Sequence, residues 1–352
     1  MNFEIQMIRS FNMKGFDGFY KGVNFGGWLS QCDYSKERLD NFITEADFER
    51  VSHWGIDHVR VPVDYNVIQT EDGEYIESGF KYVENAILWC KKYGLNMVLD
   101  LHKTCGFVFD DPDYVGFFDD EKLQRRFCEL WGEITKRFGK YSYMLAFELL
   151  NEVTDPKFNT IWNKVAKDAI AEIRKTCPDV KILLGGYHNC AIEAIFDLDL
   201  PTDKNVVFNF HCYEPIIFTH QGAYWVDGMK SDFRIFYPKP ANIYTEETKK
   251  IAAHLTPELE SFGDNEIDHT FFVNSFKPVA EYCEKHDIAL YCGEYGFIDL
   301  AEKNSGLRWL KDINKAFEEL KIGRAIWSYK EMDFGLIDEH NKGIIDEIIK
   351  YL

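Results

Sequence analysis

Long apolar runs are missing from this 352-residue chain. No stretch of about 18 successive apolar residues occurs, so no segment reads as a membrane-spanning helix. Positive charge is also scarce: 40 Lys and Arg stand against 59 Asp and Glu, for a net charge of −19. Such a field repels phosphate backbones and anionic lipid, which disfavours nucleic acid and membrane surfaces as partners and suits a neutral substrate. The nine cysteines lack any C-x-x-C pair, and Cys90, Cys190, Cys212 and Cys292 sit inside apolar runs. They read as reduced, buried thiols, not as a disulfide framework. There is no H-E-x-x-H and no other zinc spacing, so neither metal nor cofactor is expected. Internal repeats, low-complexity tracts and linkers are absent. Met1 to Tyr20 lacks the basic-then-apolar layout of a signal peptide. The expectation is a cytoplasmic protein, or a secreted one whose leader was removed.

Aromatic residues, by contrast, are plentiful: 8 Trp, 19 Tyr and 29 Phe make up 16% of the chain. They fill a large core, or line a cleft with flat rings that suit sugar faces. Eight short apolar runs have strand character: Tyr20–Phe25, His58–Val63, Met97–His102, Met144–Glu152, Lys181–Gly186, Val206–Tyr213, Ala289–Tyr295 and Arg324–Tyr329. Their near-continuous apolar character marks strands buried on both faces. Helical patterns lie between them, over Glu45–Trp54, Ser78–Tyr93, Asp120–Phe138, Asn159–Thr176, Phe276–Lys285 and Ser305–Leu320. Thr44-x-x-Asp47 caps the first of these, and Gly94 and Gly139 stop the second and third. Repeated strand–helix units predict an α/β chain folded as a (β/α)8 TIM barrel. A doubly wound sheet is the competing architecture, but no G-x-G-x-x-G turn supports it. The reading is one domain over residues 1–352. The long interval 214–275, with Pro238, Pro240 and Pro257, is read as a small, mainly helical inserted subdomain after strand 6, forming a wall of the cleft.

Reactive side chains of such barrels sit at the C-terminal ends of the strands. Polar residues interrupt the apolar runs there: Arg60 on strand 2, Asp100 and His102 on strand 3, Glu148, Asn151 and Glu152 on strand 4, Asn209, His211 and Tyr213 on strand 6, Glu294 on strand 7 and Trp327 on strand 8. Buried polar groups are costly unless they pair, so six strands ending this way imply one convergent site. Glu152 and Glu294, on strands that face each other across the mouth, are the decisive pair. One carboxyl protonates a leaving oxygen and the other attacks the anomeric carbon when they stand about 5–5.5 Å apart. Two carboxylates that close cannot both ionise freely, which leaves a proton to donate. For either glutamate alone an ordinary buried ion pair is an equal alternative, and Glu148, of the same strand parity as Glu152, is the nearest rival for the acid role.

Phe147-Glu-Leu-Leu-Asn151-Glu152 and Cys292-Gly-Glu294-Tyr-Gly, in order with Arg60-Val-Pro, Asp100-Leu-His102, His211-x-Tyr213 and Trp327, resemble glycoside hydrolase family 5. This is a family of retaining cellulases and related β-glycanases on (β/α)8 barrels. The segments Val23 to Gln31, Phe210 to Gln221 and Tyr291 to Glu294 are similar to those of clostridial members. The resemblance implies an endo-β-glucanase cleaving β-1,4-glucan or mixed-linkage β-glucan, as polymer or oligosaccharide, through a covalent glycosyl-enzyme. It also implies roles for individual residues. Glu152 is acid/base and Glu294 nucleophile. Asn151 bonds the sugar 2-hydroxyl, Arg60 keeps Glu294 ionised, and Tyr213 bonds Glu294. His102 and His211 line the cleaved-sugar subsite, and Trp327 is its stacking floor. Trp28 and Trp225 are looser candidates for outer subsites, with packing the preferred reading of each. One departure stands out: Lys103 occupies a place where many family members carry a second histidine. Exo-acting β-glucosidases or exo-β-1,3-glucanases and β-mannanases share such a site, and the segment Gly26-Gly27-Trp28 is shared with some exo-acting members. Two further alternatives are a non-catalytic carbohydrate-binding barrel and a metal-using hydrolase with ligands on strands 3 and 6.

Overall fold

The computed structural model describes residues 13–252 and 255–352. Eight parallel strands close into a barrel in chain order. They are β1 (Lys21–Asn24), β2 (His58–Asp64), β3 (Asn96–Lys103), β4 (Leu145–Glu148), β5 (Lys181–Gly185), β6 (Val206–Cys212), β7 (Ala289–Tyr295) and β8 (Gly323–Ile326). The outer layer includes α1 (Glu45–Ser52), α2 (Glu77–Tyr93), α3 (Glu121–Phe138) and α4 (Asn159–Arg174). The interval between β6 and β7 holds the short helices α5 (Ala241–Thr248) and α6 (Pro257–Phe262), then the long α7 (His269–His286); α8 (Lys303–Leu320) follows β7. No helix among the described residues is long and apolar enough to cross a membrane.

The period-two pattern of each strand divides two cores. Val59, Leu99, Phe147, Ile182, Phe208 and Leu290 point outward under the helices. The alternate residues Val98, Ala146, Leu183, Val207, Ala289, Tyr291 and Ala325 fill the lower interior of the barrel, packed with Phe16 and Phe19. Thr44 and Asp47 form the predicted capping box of α1. Gly94 ends α2 in the left-handed conformation (φ 71).

Helix α3 does stop at Gly139, which caps it in a right-handed conformation (φ −55) and passes into a 3₁₀ turn. Two expectations need correction. Helix α7 begins at His269, where Asp268 accepts a hydrogen bond from the Thr270 N–H, so residues 269–275 extend the outer layer of the barrel. Strand β4 ends at Glu148, not at Glu152. Beyond it the backbone stays bonded to both neighbouring strands without regular strand pairing: the Leu149 N–H bonds the Leu183 carbonyl of β5, the Asn151 N–H bonds the Leu101 carbonyl of β3, and Glu152 adopts φ 46. Parity therefore does not relate Glu148 to Glu152.

Candidate active site

Arg60 is the hub of the upper barrel and has no solvent exposure. From β2 its Nε and Nη2 donate to the two oxygens of Glu148 at 2.7 and 2.8 Å. Nη1 donates to Asn24 Oδ1 at 2.9 Å and to Glu294 Oε1 at 2.8 Å, and Nη2 also reaches Asn151 Oδ1 at 2.8 Å and Asp100 at 3.0 Å. A planar five-donor fork is what permits one cation to hold three strands' carboxylates at once. Glu148 also accepts from Asn209 Nδ2 at 2.9 Å. Burial pushes its carboxyl up, against the pull of Arg60. Yet Glu148 is fully enclosed, and both oxygens are occupied, so the rival has no route to a substrate.

A bulge delivers Glu294. Phe210 pairs with Cys292 and His211 with Glu294, so β7 carries one extra residue at Gly293. On a straight strand Glu294 shares the side of Cys292, which lies in the outer core. The bulge instead turns both Gly293 and Glu294 inward, and such bulges re-aim side chains next to sites. Gly293 is required here, since a Cβ would stand 2.8 Å from Asn209.

At the mouth, Glu294 Oε2 accepts from the Tyr213 hydroxyl at 2.9 Å. Burial would push the Glu294 carboxyl up, but His211, Arg60 and His102 outweigh it and hold it below the ordinary carboxylate value. His211 Nδ1 lies 2.7 Å from Glu152 Oε1 and 3.7 Å from Glu294 Oε2. Burial alone would favour neutral His211; Glu294 and Glu152 raise its pKa instead. His102 is raised likewise, chiefly by Asp100 at 2.7 Å, against its own desolvation. Glu152 Oε2 accepts from Asn189 Nδ2 at 3.0 Å. Oxygens of Glu152 and Glu294 and a nitrogen of His211 lie within 4.8 Å of one another. Three such atoms resemble a metal-ligand set. However, both oxygens of each glutamate already accept hydrogen bonds from Arg60, Tyr213, His211 and Asn189, so an ion would have to displace that network.

Asn151 uses Oδ1 on Arg60, and its Nδ2 is buried without a partner. Trp327 lies across Gly26, where a Cβ would come within 2.6 Å of the indole. Its ring is parallel to that of His102, with centroids 5.9 Å apart. Trp225 is 43% exposed and adjoins His220, Tyr224 and Phe334. Phe334 and Tyr213 in turn pack in the small cluster that holds Trp327. Trp28 is a correction: it has no exposure, its indole N–H bonds the Leu39 carbonyl at 2.9 Å, and its ring stacks on Trp89. It supports the wall of the barrel and cannot touch a sugar in the cleft. Lys103 Nζ donates to the Tyr34 hydroxyl at 2.7 Å and lies 3.5 Å from Asp64.

Sequence reasoning missed Asn24 and Asn189. Asn24 is the one buried polar side chain of β1, and that strand parity was a usable signal. Asn189 lies outside any strand, and nothing in its local pattern marks it.

A parallel barrel with two carboxylates this close at its C-terminal mouth, clamped by arginine, tyrosine and histidine beside a tryptophan, defines an O-glycoside hydrolase. The chain belongs to the cellulase family, glycosyl hydrolase family 5, whose model it matches over residues 10–333. It is 45% identical to cellodextrinase A of Ruminococcus flavefaciens over 309 residues, 87% of this chain and 84% of that protein. It is 37% identical to endoglucanase C of Acetivibrio thermocellus over 338 residues, 95% and 98% of the two chains. The fold is also that of Cel5A from Thermotoga maritima, crystallised with cellobiose (TM-score 0.76, 23% identity, 95% and 97% coverage).

Proposed function

We propose that the protein cleaves β-1,4-glucan or mixed-linkage β-1,3-1,4-glucan by double displacement with retention of configuration. The carrying observation is the approach of Glu152 and Glu294 to within 4.8 Å, the short separation of retaining enzymes and too small to seat a water for direct inversion. In this reading Glu294, held ionised by Arg60 and Tyr213, attacks the anomeric carbon while Glu152 protonates the departing oxygen. Water then enters, Glu152 takes its proton, and the glycosyl–Glu294 ester breaks. The free Nδ2 of Asn151 donates to the 2-hydroxyl of the sugar. His102 and His211 bound the subsite, and Trp327 is its apolar floor. Trp225 extends the aromatic surface outward. The names of the relatives, a cellodextrinase and endoglucanases, support a β-glucan substrate. No step calls on a metal ion or cofactor.

The test is twofold. Reducing ends should be released from barley β-glucan and cello-oligosaccharides, with the β-anomer formed first by NMR. A 2-deoxy-2-fluoro cellobioside with a good leaving group should label the peptide containing Glu294. Initial α-anomer, or a label elsewhere, overturns the reading.

A further inference from the structure

We propose that Asn189 is a positioning residue that holds the Glu152 carboxylate in the plane needed for proton transfer, a role that rests on reading Glu152 as the acid/base.

The turn that carries Asn189 follows β5 and has an unusual backbone. His188 (φ 50, ψ 49), Asn189 (φ 56, ψ 49) and Cys190 (φ 60) are three successive non-glycine residues in the left-handed region. L-residues visit that region singly and at a cost, with asparagine the most tolerant of the ordinary side chains. Such conformations persist only where surrounding contacts impose them, and they gather at functional sites. Here the imposing contacts lead to Glu152. The His188 N–H bonds the Thr154 carbonyl and the Asn189 N–H bonds the Val153 carbonyl, both at 3.0 Å. The turn is therefore tied to the two residues that follow Glu152. Cys190 anchors it from below, fully buried against Gly185, where a Cβ would stand 2.5 Å from the thiol. Glu152 is itself left-handed (φ 46). Two strained segments are thus bolted together so that one amide meets one carboxylate oxygen at 3.0 Å. His211 holds the other oxygen at 2.7 Å. The Asn189 amide faces that oxygen with its NH₂, which donates. With a donor on each oxygen, the plane of the carboxylate is fixed.

The variants are Asn189→Gly and Asn189→Asp. Glycine adopts the left-handed region freely, so Asn189→Gly removes the amide without unfolding the turn, and its melting temperature should equal or exceed that of the parent. The readout is kcat/KM across aryl β-cellobiosides whose leaving groups range from 2,4-dinitrophenol to phenol. A misaligned acid matters only where the leaving group needs a proton. Asn189→Gly should lose about ten-fold on phenyl cellobioside and less than about two-fold on the dinitrophenyl substrate. The basic limb of its pH profile should move to higher pH, since a carboxylate that loses a donor ionises less readily. Asn189→Asp, with a like charge beside the carboxylate, should move it further. An equal loss on all substrates, or an unmoved basic limb, overturns the proposal. Glu152→Ala is run alongside. If it lacks leaving-group dependence, the acid/base reading itself fails. If it shows that dependence and Asn189→Gly does not, only the role of Asn189 is lost.

Discussion

The two ends of the barrel are built from the same inward-facing strand positions and do opposite things. At the lower end, Val98, Ala146, Leu183, Val207 and Ala325 close the interior with Phe16 and Phe19. The polar pair there, His58 and Tyr291, is satisfied at 2.7 Å, and Asp57 lies 2.6 Å from the other ring nitrogen. One inward step along the strands, the residues become Asn24, Arg60, Asp100, Glu148 and Asn209, and beyond them Glu152, His211 and Glu294. The lower end has one use for its polar groups, which is to bond each other. The upper end crowds three carboxylates around one guanidinium and leaves Asn151 Nδ2 and His211 Nε2 buried without partners. Proteins tolerate such local conflict where function requires it. The upper end should therefore be rich in activity and poor in stability, and the lower end the reverse.

The largest effect expected from that contrast is in Glu294→Ala. Turnover should fall by at least about 10³-fold, in the range lost when a covalent nucleophile is removed. Arg60 keeps Glu148 and Asp100, and one of three crowded like charges is gone, so the melting temperature should stay level or rise. Glu152→Gln should behave similarly. Reducing-sugar release and thermal melts on the same samples check both halves. A mutant that loses stability along with activity breaks the contrast.

Glu214 tests the contrast through pH. It sits beside the mouth on the segment after β6 and accepts from the Tyr213 N–H at 3.0 Å. Burial, then the nearby charges of Glu258 and Glu193, push its carboxyl from 4.5 up to about 7. A raised acid stabilises the fold in its protonated form. That contribution is complete below the unfolded pKa of 4.5 and disappears as pH rises through about 7. Allowing for partial exposure, the loss is on the order of 2 kcal/mol. Stability of the parent relative to Glu214→Gln, followed by urea titration from pH 4 to 8, should decline across that window. A flat difference removes Glu214 from the crowded set.

Much of this division was legible in the sequence. Inward parity along β2, β3 and β6 puts His58, Arg60, Asp100, His102, Asn209 and His211 in register, and reading polar interruptions of the apolar runs found all of these but His58. Parity failed where the backbone departs from a strand. The β7 bulge reverses the side on which Glu294 falls, and the end of β4 at Glu148 uncouples Glu152 from its parity. Neither event leaves a mark in hydrophobic patterning; both glutamates stood out as polar residues at the ends of apolar runs, and the family motifs named the same two. Asn189 was invisible for the same reason, since a left-handed turn of ordinary residues is imposed by tertiary contacts. Trp28, offered as an outer-subsite candidate with packing preferred, is packing alone; its stacking partner Trp89 is 61 positions away, where local reading cannot see it.

A smaller effect, confined to the upper end, is expected of Tyr213→Phe. The phenol stays protonated in its buried setting and donates to Glu294 Oε2 at 2.9 Å. Losing a donor to a charged acceptor is worth about 1.5–3 kcal/mol, or about ten- to hundred-fold in kcat/KM. Glu294 is held below the ordinary carboxylate value, so activity at the acid edge requires its ionised form. Without the hydroxyl the acid limb of the kcat/KM profile should move to higher pH. An unchanged acid limb assigns that limb to another group.

The smallest effect belongs to the lower end. Tyr291→Phe keeps the ring that packs edge-on against Phe16 and removes only the hydroxyl bonded to His58. His58 keeps its contact with Asp57, but one buried ring nitrogen loses its partner, at a cost of about 1–3 kcal/mol. Because Tyr291 lies one inward position below Gly293 and its bulge, the lost bond has a short path to Glu294. If the two ends are energetically separate, kcat/KM measured well below the melting transition stays within about two-fold of the parent while the urea midpoint falls. If turnover drops with stability, the bulge transmits strain from the barrel floor to Glu294, and the two ends act as one unit.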